Sequence, residues 1–230
     1  MNKVKDEFFH LLIPELEKAG FKFKKSQTRF VRKGKATEDQ FVLHCQAKYG
    51  RLNVTVFAQV YPDLLNASLQ KKMGLDKLES FCFHKLTPRE YYKVVEFKDA
   101  YHLSLYDGSL DIPEKDWLEK EAISLAQYLH PYECLQAAAE NVLEIFRGFS
   151  MPFFEKHQEN KYLRQALQAD DIDAILNEIA RPEHHGWKLL FWAKEEAPEL
   201  VDALRKRLFD YSKTLSITTQ QRFEEYLNLV

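Results

Sequence analysis

The residues of this chain with the richest side-chain chemistry are two Cys/His groupings and two acid pairs. Cys82 and His84 stand two apart, and His184 and His185 are adjacent. On a strand, Cys82 and His84 share a face, because successive side chains alternate. Zinc needs three or four convergent ligands, typically as spaced pairs of Cys and His. Each pair here lacks a second, so Cys82 reads as a core thiol and His84 as its neighbour, with His184 and His185 on the surface at a helix start. His44 and Cys45 are a base and a nucleophile in type. Adjacent strand residues face opposite ways, however, and Cys45 shares the apolar face of Leu43. Asp170/Asp173 and Glu195/Glu199 have carboxylate-pair spacing, which on exposed helices reads as capping and solvation.

Phosphate-cradling loops need clustered glycines, and the 7 glycines here are isolated. The chain contains no G-x-S-x-G elbow and no H-E-x-x-H pair. No metal, cofactor or catalytic residue is expected from these patterns, and the reading leans away from an enzyme.

Two surfaces remain. The first is a mixed aromatic and polar set, His44, Gln46, Asn53, Thr55, Phe57, Gln59, Tyr61, His102, Ser104 and Tyr106. These project from one side if their strands share a sheet, as ligand-facing surfaces do. His44, Phe57, Tyr61, His102 and Tyr106 are the binding candidates, with His44 or His102 as general base in an enzymatic alternative. The second is the basic segment GFKFKKSQTRFVRKGK, Gly20 to Lys35. A two-residue turn at Ser26-Gln27 pairs Phe23 with Phe30 and Lys24 with Arg29. Phe21, Phe23 and Phe30 then face the first helix, and Lys22, Lys24 and Arg29 face outward. Opposed like charges are unfavourable across a strand pair. Nucleic-acid phosphate, the acidic middle of the chain or water are the available partners. Basic edge hairpins also guard sheets against edge pairing. The formal net charge of −2 argues against a nucleic-acid binder.

The elements that position these residues follow from periodicity. Phe8, Phe9, Leu12, Leu16 and Ala19 form a helical stripe over Lys3 to Ala19, with Pro14 expected to kink or restart it and Gly20 to end it. Phe41, Leu43, Cys45 and Ala47, then Leu52, Val54, Val56, Ala58 and Val60, alternate with polar residues around Tyr49-Gly50. That predicts two long antiparallel strands. A short helix is predicted over Leu64 to Met73, and strands at Ser80 to His84, Tyr92 to Phe97 and Tyr101 to Tyr106. After Asp111 the spacing turns helical, with one helix marked by Trp117, Leu118, Ala122, Leu125 and Leu129. Leu135, Ala138, Ala139, Val142, Phe146 and Phe149 mark another. A string of short helices follows from Glu159, with starts at Asp170 and Asp171 and near Pro182 and Pro198, and a last amphipathic piece over Thr218 to Leu229.

The stretches LEKAGFKFKKSQTRFVRKG (Leu16 to Gly34), FVLHCQAKYGRLNVTVFAQVYPDL (Phe41 to Leu64) and, more weakly, FRGFSMPFFEKH (Phe146 to His157) resemble a bacterial domain-of-unknown-function family, numbered four-three-zero-four. The resemblance spans roughly residues 1–157. It implies an α+β domain and brings no activity or site residue with it.

The expectation is therefore an α+β protein with an N-terminal helix and an antiparallel meander sheet closed by helices (1–157), then a small helical subdomain (158–230). Three scattered cysteines and an N-terminus with acids and a proline point to a cytoplasmic protein. No apolar run reaches the ~20 residues of a membrane span. The leading function is a non-enzymatic binding module with another protein as partner, in a toxin–immunity or stress setting. The alternatives are an enzyme on a small polar ligand at the sheet face, and a nucleic-acid binder through the hairpin.

Overall fold

The computed structural model of the chain describes residues 2–48, 51–73, 79–88, 94–96, 102–104, 132–158, 161–169 and 171–230. Helix α1 (Asn2–Lys18) leads into strands β1 (Lys22–Lys24), β2 (Arg29–Lys33), β3 (Thr37–Lys48) and β4 (Arg51–Pro62). A π turn, Leu64–Ser68, runs into α2 (Leu69–Met73), followed by β5 (Phe83–Leu86), β6 (Val94–Glu96) and β7 (His102–Ser104). Then come α3 (Tyr132–Ile145), a second π turn (Phe146–Ser150), α4 (Met151–Gln158), α5 (Lys161–Gln168), α6 (Ile172–Asn177) and α7 (Pro182–His185). Helices α8 (Lys188–Glu196), α9 (Val201–Ser212) and α10 (Ile217–Leu229) complete the order, with a 3-10 turn at Pro198–Leu200. The class is α+β. Strands β1 to β5 form an open sheet in sequence order, a meander, and β6 pairs with β7 in a separate two-stranded sheet. The predicted helix around Trp117 lies outside the described residues.

Contacts divide the chain into two compact units. The first comprises Met1–Lys33, Asp39–Ala58 and Lys85–Phe154; the second comprises Gly34–Glu38, Gln59–His84 and Glu155–Val230.

In the first unit α1 buries Phe8, Phe9, Leu12 and Leu16 along the predicted stripe. The helix passes through Pro14 without restarting. Pro14 is exposed, as is His10, whose carbonyl loses its helical donor to the proline and faces the watery side instead. The helix ends by a Schellman pattern: the Phe21 amide donates to Leu16 O (3.0 Å) and the Gly20 amide to Glu17 O (2.9 Å). Gly20 sits at φ +84°, where a side chain is strained.

The hairpin that follows has the predicted register, Phe23 opposite Phe30 and Lys24 opposite Arg29. Its turn is longer than the two residues expected. Lys25–Gln27 make a 3-10 turn, and Thr28 closes it in the left-handed region at φ 47°. Phe23 stacks on Phe9 at 4.7 Å and lies 4.8 Å from Phe30. Phe21 meets Phe146 and Phe154, each at 5.3 Å. The guanidinium of Arg32 lies 4.7 Å from the Phe21 ring centre, and its Nη2 is 2.8 Å from Oδ2 of the fully buried Asp39. Along β3 and β4, Phe41, Leu43, Val54, Val56, Ala58 and Val60 are fully buried, as the alternation predicted.

The second unit is tied together by a polar clamp and a buried helix. Asn66 donates to the carbonyls of Pro62 and Phe81 (2.9 Å each), and its Oδ1 accepts from the Phe81 amide (2.7 Å). That fixes the segment entering β5. Phe83 then bridges antiparallel to Ile179, with the His84 amide on Glu178 O and the Ala180 amide on Cys82 O. Helix α8 buries six consecutive residues, Lys188 to Ala193, against the surrounding helices.

Asp39 supports the Arg32 guanidinium inside an aromatic core, so removing it strands a half-buried cation. Asp39→Ala is expected to lower the unfolding free energy in urea by roughly 3–5 kcal/mol, whereas exposed Lys24→Ala is expected to change it by no more than about 0.5 kcal/mol.

Candidate functional site

The mixed surface read from the sequence does not assemble as one face. His102 belongs to β7, which among the described residues pairs with β6 in a sheet separate from that of β3 and β4. Period-two alternation marks a strand without saying which sheet it joins. Tyr106 lies outside the described residues. In the first unit His44 is exposed and Phe57 half-buried. In the second, half-buried Tyr61 donates to Gln59 Oε1 (3.1 Å), and Gln59 Nε2 lies 3.8 Å from Cys82 Sγ. Cys82 is buried, as expected. Burial pushes its thiol up to about 11, against a Tyr61 hydrogen bond, and burial pushes Cys45 up to about 11 as well. Neither is an activated thiolate at neutral pH.

The basic hairpin also divides. Arg29 turns inward and donates to Gln40 Oε1 at 2.8 Å. Lys22 and Lys24 are exposed and line a shallow cleft of about 390 Å³ with Lys33 and Gly20. Among the described residues, no ion pair joins Lys22, Lys24 or Arg29 to the acidic stretch 111–178. No group of three or more His, Cys, Asp or Glu able to hold a metal occurs among the described residues.

A different cluster emerges in the second unit. Glu79, Arg181, His185, Lys188, Arg222 and Tyr226 are among the residues that line a cavity of about 280 Å³. The order R-P-E-H-H-G-W-K builds it. Pro182 opens α7, with Arg181 ahead of it in the left-handed region at φ 57°. A Cβ on Gly186 would meet Pro182 O at 2.8 Å, Leu176 Cδ2 at 3.0 Å and Phe223 Cε2 at 3.3 Å. A glycine is therefore needed for α10 to approach so closely, and that approach brings Arg222 and Tyr226 to the cavity. Tyr226 stacks on Trp187 at 4.6 Å with an interplanar angle of 10°. Trp187 Nε1 donates to His184 O at 2.9 Å.

Lys188 is the unusual member. It is 1% exposed, and its Nζ donates to the backbone carbonyl of Glu79 at 2.5 Å. Burial lowers its pKa to about 8, although Glu79 and Cys82 act the other way. The Glu79 carboxylate is held by Arg181 Nη1 at 3.1 Å and lies 3.5 Å from His185 Nε2. His185 is buried, contrary to the surface position expected for it. Burial, then the nearby Lys188 charge, pulls its pKa to about 4, so the ring is neutral at pH 7. Among the described residues its Nδ1 has no hydrogen-bond partner. His184 is exposed, as expected. Among the described residues Arg222 has no hydrogen bond or ion pair and sits exposed at the rim.

A second polar cluster in the same unit is closed on itself. Glu178 receives Lys156 Nζ at 2.7 Å and His157 Nε2 at 3.1 Å, and His157 stacks on Phe83 at 4.2 Å. Burial would raise the Glu178 pKa, but the His157 and Lys156 hydrogen bonds win and bring it to about 2. This is an internal brace with its bonding capacity used. The two acid pairs behave structurally too. Glu195 pairs with Lys72 and Glu199 with Arg164, while Asp170 lies outside the described residues and neighbouring Asp171 caps α6 through the Ala174 amide.

No family model, curated protein or solved structure matches this chain. No helix among the described residues is long and apolar enough to cross a membrane.

The depressed pKa values give the pH dependence a sign. Between pH 8 and 10.5 the unfolded chain holds a proton on Lys188 that the folded chain does not, so this group makes stability rise with pH across that window. Between 6.5 and 4 the unfolded chain protonates His185 first, and stability falls as pH falls. Glu178 adds stability above 4.5 that is lost toward pH 2. Unfolding midpoints measured against pH are expected to lose the alkaline rise in Lys188→Met and the loss between 6.5 and 4 in His185→Gln. Parallel curves for wild type and variants would contradict these assignments.

Proposed function

We propose that this protein is a non-enzymatic binding module whose second unit holds a small anion-bearing ligand in the Lys188 cavity. The observation that carries this reading is a buried ammonium lining a cavity that is also flanked by two arginines. Burying an ammonium costs several kcal/mol unless it is compensated. Among the described residues its hydrogen-bond partner is a backbone carbonyl. Glu79 and Glu183 also line the cavity, but the Glu79 carboxylate is engaged by Arg181 and Glu183 lies 3.8 Å from His184. Arg222 is left to meet a ligand. The cavity size suits a compact ligand, and its Trp187–Tyr226 stack and Phe223 supply an apolar wall of the kind ligand sites have.

The sheet-face location is not carried further, since His102 lies in another sheet. A reducing, cytoplasmic compartment is proposed on the free thiols of Cys45 and Cys82. Membership of the family numbered four-three-zero-four, and with it a bacterial origin, likewise stands as a proposal resting on the resemblance alone.

Calorimetric titration with inorganic phosphate or pyruvate is the test. Saturable, salt-sensitive binding is expected. Arg222→Ala removes a charge-assisted hydrogen bond worth roughly 1.5–3 kcal/mol, or about ten- to hundredfold in affinity. Phosphate binding is also expected to weaken above pH 8 as Lys188 loses its proton. Equal affinity in wild type, Arg222→Ala and Lys188→Met would remove the site.

A further inference from the structure

Resting on the anion pocket just described, we infer that Lys188 binds a 2-oxo acid covalently and reversibly, as an imine, with Arg222 taking the ligand's carboxylate. Geometry carries this. Lys188 is among the residues lining a half-open cavity, with its Nζ 5.6 Å from the centre of the Trp187 ring and its chain packed in an apolar helix. A neutral amine keeps two N–H bonds. It can hold the Glu79 carbonyl with one of them and still present a lone pair to a carbonyl carbon. A desolvated lysine is the usual form of a Schiff-base nucleophile. With a pKa of about 8, roughly one Lys188 in ten is free amine at pH 7, against about one in three thousand for an ordinary lysine.

The step balances without a co-reactant. The amine nitrogen adds to the ketone carbon and an N–H proton passes to the ketone oxygen, giving a carbinolamine. The C–O bond then breaks as C=N forms, and the second N–H proton passes to the departing oxygen, which leaves as water. His185 lines the same cavity and is neutral at pH 7, a form that suits a carrier of that proton between nitrogen and oxygen. A carboxylate beside the ketone suits the arrangement, because an arginine at the rim can hold it while the carbonyl reaches the buried amine.

Borohydride trapping of the full chain with pyruvate tests this directly. Hydride from the reagent reduces any imine to a secondary amine, and peptide mass spectrometry locates the resulting N-carboxyethyl group. One modification at Lys188 is expected, at least tenfold above any other lysine, increasing between pH 7 and 9 and suppressed by excess inorganic phosphate. It is expected to vanish in Lys188→Arg. If phosphate binds and depends on Arg222 but Lys188 stays unmodified, or modification scatters over surface lysines, the imine is overturned and the anion pocket stands. If phosphate does not bind and no adduct forms at Lys188, both are overturned. Mapping on the wild-type chain keeps the result decisive even if a variant folds poorly.

Discussion

The second unit is arranged around an ammonium taken out of water at the head of an apolar helix. Lys188 opens a run in which every residue to Ala193 is buried. Such a placement costs several kcal/mol, and a methionine of similar length would fill the same space without that cost. The surroundings repay part of it through the Glu79 carbonyl, and Arg181 fixes the side chain of that same residue from the other end. The backbone pays as well, with Arg181 in a conformation that L residues seldom adopt. Expensive local arrangements of this kind concentrate where a protein binds or reacts.

The first unit reads as scaffold by the same reasoning. Its cation, Arg32, is matched: a buried carboxylate on one side and the faces of Phe21 and Phe154 on the other. The Glu178 brace in the second unit is matched too, with both carboxylate oxygens engaged. What separates Lys188 from these is that, among the described residues, no carboxylate is bonded to its Nζ. The basic hairpin at Gly20 to Lys33, the most heavily charged stretch of the chain, is anchored by phenylalanines, and its Lys22 and Lys24 simply face water.

Much of the scaffold was legible in the sequence because it follows local rules. Alternation assigned the faces of β3 and β4, centring the turn on Ser26-Gln27 set the β1–β2 register, and the acids at Asp170 and Asp171 and the proline at Pro182 marked helix starts. The turn at Lys25–Thr28 was misjudged because a 3-10 turn with a left-handed Thr28 preserves the register a two-residue turn would give. The site was not legible, because its members come from three distant stretches around 79–82, 181–188 and 222–226. His185 looked exposed because nothing local shows that Gly186 lets α10 close over it. The one available signal was the lone cation in G-W-K-L-L-F-W-A, an isolated lysine among apolar residues that in isolation resembles the polar edge of an amphipathic helix.

The central claim is that Lys188 is a desolvated amine open to a ligand. The most direct measurement is an NMR titration of its Cε and Nζ signals, assigned by loss in Lys188→Met, in the free protein and with saturating inorganic phosphate. The account predicts a pKa near 8 in the free protein, displaced upward by bound phosphate because an anion favours the charged form. A value near the ordinary 10.4, or one near 8 that phosphate leaves unmoved, would contradict it.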